Sequence, residues 1–206
     1  LGVRFEVLKD ERLIIKDATK ETFASTRNAS YVKDNSTIVI NNLIGENSYD
    51  VGISLVYTSS QQSGIRGLAY LEGVYQPNTK ADAVAVLTKE VIAHEIGHLF
   101  GGRHTFSSHK GSAAYDSEKT ELGSGTSVMS YGSPRDFFSL SSIERIRQRL
   151  TQVPARAQDE TFATQAPRID RSKLKNHYTI PKGTFFQFYI PATDPDSSVL
   201  LYAVNQ

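Results

Sequence analysis

The sequence predicts an α/β (α+β) domain followed by part of a β module, and three observations carry that prediction. Strand-like alternation comes early in the chain, and a helix-period run of apolar residues lies between Thr88 and Gly101. After a polar segment at 151–168 the pattern changes to short β-like runs broken by Pro181, Pro191 and Pro195.

Taken in order, Val3, Phe5 and Val7 alternate and predict a strand from Gly2 to Leu8. A turn follows at Lys9, Asp10 and Glu11, then a second strand over Leu13, Ile14 and Ile15. Asn35 or Ser36 is the expected cap of a short helix with Val39, Ile40, Leu43 and Ile44 on one side and Gly45 as its stop. Val51 to Tyr57 and Gly67 to Val74 are expected strands, joined through the polar loop 58–64. Thr88 is the expected cap of the next helix, whose apolar face is Val91, Ile92, Ile96, Leu99 and Phe100 and whose end is set by Gly101 and Gly102. A polar, Gly- and Ser-rich stretch then leads to Val128-Met129-Ser130-Tyr131, and a last helix is expected from Ser139 or Ser141 to Leu150. The expected division is a domain over 1–153, a linker over 154–168 and a partial β-sandwich-like segment over 169–206. The absence of an initiator Met at Leu1 and the shortness of the last segment lead us to expect a piece of a longer protein.

The chain has 206 residues, with 23 basic and 22 acidic residues and no basic run, which argues against a nucleic-acid partner. Its apolar runs fall well short of the roughly 20 residues a bilayer span requires. With no cysteine, disulfides and thiolate metal sites are excluded, leaving histidine, carboxylate and carbonyl as ligands. The oligomeric state is not legible.

His94 and His98 are four apart, so a helix stacks them on one face within reach of a single metal ion. His104 is six further on and would point away on a continued helix; Gly101, free to adopt positive φ, allows the chain to double back and present it as third ligand. Three imidazoles on tetrahedral zinc leave one position for water, whose pKa the metal lowers to about 7. Glu95, beside the first ligand, is the expected general base. Three His, one Glu and one Gly at these spacings arise by chance on the order of once in 10^5 chains of this size, so zinc is favoured over a packing role. The other function considered is a non-catalytic, zinc-containing peptide-binding module, whose mark would be a missing Glu or a fourth protein ligand closing the site.

Residues 94–104, His-Glu-Ile-Gly-His-Leu-Phe-Gly-Gly-Arg-His, resemble the metzincin signature H-E-x-x-H-x-x-G-x-x-H, which is followed in that family by a Met-turn. Met129 is the single methionine and so the candidate for that turn. Within the metzincins, Gly67-Leu68-Ala69-Tyr70, Phe137-Phe138-Ser139 and the stretch from Ile44 to Gly52 are similar to the bacterial adamalysin (reprolysin) proteases. The resemblance spans about residues 1–150 and implies a metzincin catalytic domain with a twisted mixed sheet, active-site helix, Met-turn and C-terminal helix. It also implies a zinc-dependent endopeptidase acting on protein or peptide substrates, secreted or at the surface of a bacterium. By the same resemblance, Gly67, Leu68, Ala69 and Tyr70 form a sheet edge that binds extended substrate, and Gly132, Ser133 and Pro134 wall the pocket beyond the scissile bond. Family members begin with a further strand and long helix, which would precede Leu1. The chain departs from animal adamalysins in lacking cysteine and in reading Met129-Ser130-Tyr131. A tyrosine at that place resembles astacins and serralysins, where it ligates zinc and stabilises the tetrahedral intermediate; core packing is the alternative for Tyr131. For Asp194 and Asp196 the alternatives are calcium and a simple turn. His109 and His177 are read as surface residues.

Overall fold

Residues 3–23, 28–56, 64–108, 110–111, 113, 115–152, 165, 167–175, 177–196 and 199–200 are described by a computed structural model of the chain. The regular elements are α1 (Ala29–Ile44), β1 (Ser54–Val56), β2 (Gly67–Ala69), β3 (Ala83–Val86), α2 (Lys89–Leu99), β4 (His104–Phe106), β5 (Ser117–Glu121), α3 (Leu140–Thr151), β6 (Arg168–Ile169) and β7 (Ala192–Thr193). They fall into two compact units, Val3–Ala157 and Gln158–Val204. The larger is a mixed α+β body.

Its centre is β3, which the sequence reading did not mark as a strand. Ala-Val-Ala-Val is a four-residue apolar run that periodicity alone cannot assign, and alanine is a poor strand former. Its place explains its composition. β1 pairs with it in parallel on one side and β2 antiparallel on the other, so all four residues are buried and both faces are covered. On one face Val84 packs against Ala29 and Val32 of α1, with Leu68 and Val56 around them. Ala85, on the opposite face, and Val86 at the end of the strand cluster with Val91 and Ile92 of α2. Each fully buried valine here contributes roughly 1.5–3 kcal/mol.

The helix α1 starts earlier than expected because Asn28, not Asn35 or Ser36, provides the cap: its Oδ1 accepts from Tyr31 N at 3.1 Å. The two expected caps are occupied elsewhere, Asn35 Nδ2 donating to Tyr31 O and buried Ser36 bonding Ser54 and the Ala83 carbonyl. Gly45 ends the helix at φ 92° as expected.

The expected N-terminal strands do not form. Residues 3–10 join no ladder, and Asp10 instead caps a 3₁₀ turn at Glu11–Leu13, its Oδ1 accepting from Arg12 N at 3.0 Å. Phe5 packs edge-on against Phe100 at 5.8 Å, while Val7 and Ile14 stay exposed, so the alternation has no sheet to serve. Strands β1 and β2 are shorter than the expected runs. β2 stops before a turn in which Glu72 has φ 63°; Tyr57 and most of the loop after it, 58–63, lie outside the described residues.

Thr88 stands at the N-cap of α2 by backbone geometry, without a side-chain cap bond. α3 begins where expected, with Ser139 Oγ accepting from Ser142 N at 3.3 Å, and Ile146 carries it onto Val74 and Phe100. β5, Ser-Glu-Lys-Thr-Glu, lies inside the stretch read as irregular, since it has no apolar residue to betray it; it pairs in parallel with β4. In the smaller unit β6 and β7 form a two-residue antiparallel ladder. Between Tyr178 and Ile190 the expected strands are absent, and a turn closes from Thr184 N to Pro181 O. Asp194 Oδ1 accepts from Asp196 N at 2.7 Å, the turn geometry. Most of the expected linker, 154–164 and 166, and residues 201–206 lie outside the described residues.

Met129 is wholly buried in the turn Ser127–Ser130 and fits against α2 because Gly97 has no side chain: a Cβ there would land on its Sδ. Gly97→Ala is expected to lower stability by about 1–3 kcal/mol in urea unfolding, despite the better helix propensity of alanine. The double variant Gly97→Ala/Met129→Ala should show positive coupling in a double-mutant cycle.

Candidate metal centre

The helical rise of α2 sets His94 and His98 one turn apart, ring centroids 4.7 Å from each other at 88°. The helix then stops. Gly101, at φ 90°, donates to His98 O at 2.9 Å and Gly102 N to Gly97 O at 2.8 Å, turning the chain back into β4 with His104 at its first position. The ligating atoms of all three histidines lie within 4.8 Å of one another. His98 Nε2 stands 3.1 Å from His94 Nε2 and 3.2 Å from His104 Nε2.

The other ring nitrogens decide what can occupy that centre. His94 Nδ1 donates to the Val128 carbonyl at 2.7 Å and His98 Nδ1 to the Gly102 carbonyl at 2.7 Å, and since a carbonyl only accepts, each Nδ1 carries the proton. The Nε2 atoms of His94 and His98 therefore present lone pairs to each other. A proton cannot relieve the contact at neutral pH: burial pushes His94 down to about 4, and burial together with its two histidine neighbours holds His98 well below its ordinary value. A cation can. Tetrahedral zinc with bonds near 2.0–2.1 Å spaces its nitrogens about 3.3 Å apart, close to the separations found here.

Glu95, only 5% exposed, lies on the side of β2: a Cβ on Gly67 would meet its carboxylate. Burial pushes this carboxyl up to about 8, with the positive charge of Arg135 acting the other way. Arg135, which also bears on His94 and Tyr131, had no signature in the sequence, because its proximity depends on the loop after Met129. Tyr131 is half exposed, its hydroxyl 3.2 Å from His104 Nε2. Gly132 donates to Ser124 O at 3.0 Å, so close to the Gly125 carbonyl that no side chain fits; Ser133 and Pro134, joined by a cis peptide bond, are exposed. Gly67, Leu68 and Ala69 are half-buried at the sheet edge, and Tyr70 is exposed. His177 is at the surface, and His109 lies outside the described residues.

No helix among the described residues is long and apolar enough to cross a membrane. No curated protein matches the chain. Residues 3–152 match the family model of the reprolysin-like metallopeptidases of family M12B, a span that holds all three imidazoles and most of the chain. The histidine cluster thus sits inside a metallopeptidase domain, and the chain belongs to the reprolysin-like metallopeptidase family M12B.

Proposed function

We propose that the chain is a zinc-dependent endopeptidase of the metzincin type that cuts extended polypeptides outside the cell. The convergence of three imidazole Nε2 atoms beside one buried carboxylate is the observation that carries this reading. His94, His98 and His104 would hold the zinc, and the buried turn at Met129 would be the Met-turn beneath them. Zinc so held supplies Lewis acidity, letting water ionise near neutral pH and polarising a carbonyl.

The side chains do the rest. Glu95 takes the proton from water and gives it to the leaving amine. Its raised pKa strengthens it as the acceptor in the first transfer, and the Arg135 charge, acting the other way, favours release of the proton in the second. The edge of β2 offers backbone groups to an extended substrate, which aligns it over Glu95 through Gly67, Leu68, Ala69 and Tyr70. Gly132, Ser133 and Pro134 line the far side. Tyr131, with its hydroxyl already at His104, donates to the oxyanion of the transition state.

Three outcomes are expected. Glu95→Ala should retain its zinc yet lose roughly 10²–10⁴-fold in kcat/KM on a quenched-fluorescence peptide library; an active variant, or one without zinc, would overturn the role. Tyr131→Phe should lower kcat roughly 10²–10³-fold with KM little changed, whereas a packing role leaves kcat alone. In metal-free protein the two kinds of buried group act in opposite directions with pH. The folded state binds fewer protons at His94 than the unfolded chain between about 4 and 6.5, so stability falls as the medium is acidified through that window. At Glu95 it binds more protons between 4.5 and about 8, so stability also falls as pH rises there. Glu95→Gln should abolish the second fall, whose limiting slope is about 1.4 kcal/mol per pH unit, and leave the first, as read by urea titration in chelator.

A further inference from the structure

Glu121, at the end of β5, receives four hydrogen bonds on one carboxylate. Oε1 accepts from Thr126 N and Ser127 N, each at 3.0 Å. Oε2 accepts from Ser127 Oγ at 2.6 Å and from Thr105 Oγ1. Thr105 and Ser127 are wholly buried, and their hydroxyls also contact each other at 3.1 Å. Burial alone would raise the Glu121 carboxyl, but the hydroxyls of Ser127 and Thr105 and the two amides outweigh it, so the group stays below its ordinary value and acts purely as acceptor.

The donors are the neighbours of the metal centre. Thr105 follows His104 directly, and its amide donates to Met129 O at 3.2 Å. Ser127 precedes Val128, whose carbonyl orients His94 through Nδ1 at 2.7 Å. His98, by contrast, takes its carbonyl from its own loop, at Gly102. We infer that Glu121 is a positioning residue of the centre, one carboxylate that fixes His104 through Thr105 and His94 through the Val128 carbonyl. This inference rests on the reading of the three histidines as zinc ligands. Outer-shell partners of this kind set ring orientation and ligand basicity.

The test compares wild type, Glu121→Ala, Glu121→Gln and Thr105→Val by zinc affinity, from competition with a chromophoric chelator, and by the ligand-field spectrum of the cobalt-substituted protein. Glu121→Ala should bind zinc roughly 10–100-fold more weakly with a changed cobalt spectrum. Glu121→Gln should recover most of the loss, because its carbonyl still serves the two amides. Should Glu121→Ala fail to fold by circular dichroism, Thr105→Val decides. It keeps the shape, cuts only the tie beside His104, and should still weaken zinc several-fold and shift the spectrum. A folded Glu121→Ala, or in its place Thr105→Val, that binds zinc within about twofold of wild type with an unaltered spectrum overturns the inference alone. Folded wild type without affinity for zinc overturns the reading of the site and the inference with it.

Discussion

Two imidazoles whose outer nitrogens are committed to backbone carbonyls, and whose inner nitrogens face each other and a third, impose the constraint on which the larger unit depends. Such a contact is unfavourable unless a positive charge stands in it, so the chain has to hold the rings together by force of packing from outside. One carbonyl comes from the turn that reverses the chain after α2, the other from the turn that buries Met129. Both turns need glycine close by. Gly101 takes the positive φ that reverses the chain, and Gly97 leaves room for a thioether under the helix.

The sheet serves the same end from the opposite side. With Val86 against Val91, β3 anchors the first turn of α2, and β2 at its flank closes over Glu95 with a residue that has no side chain. The buried Glu95 carboxylate thus has backbone, not a side chain, against it at Gly67, and β2 is an edge strand of the sheet among the described residues.

What the sequence disclosed follows from what is local in it. The three clustered histidines are encoded within eleven consecutive residues, and their spacing, the glycine that turns the chain and the carboxylate between them were legible together. α3 announced itself by its serine cap and amphipathic period. The rest depends on partners distant in the chain. β3 was hidden because a strand buried on both faces has no alternation, and β5 because a strand held by pairing and by Glu121 needs no apolar residue. The early alternation at Val3, Phe5 and Val7 misled for the converse reason: it has the period of a strand and joins no ladder among the described residues. Arg135 comes to the centre on the loop after Met129, and Glu121 bonds both Ser127 before Met129 and Thr105 after His104, contacts that no local pattern specifies.

The meeting of lone pairs at the centre also makes the stability of this protein a property of its surroundings. The chain has no cysteine, hence no covalent cross-link that would hold its elements together regardless of medium. A cation that binds the folded chain and not the unfolded one adds about 1.4 kcal/mol for every tenfold rise in its free concentration above the dissociation constant. With such a cation at the histidine cluster, the same molecule would be more stable where divalent metal is plentiful than where it is scavenged. Lifetime, and not activity alone, would be set by metal supply.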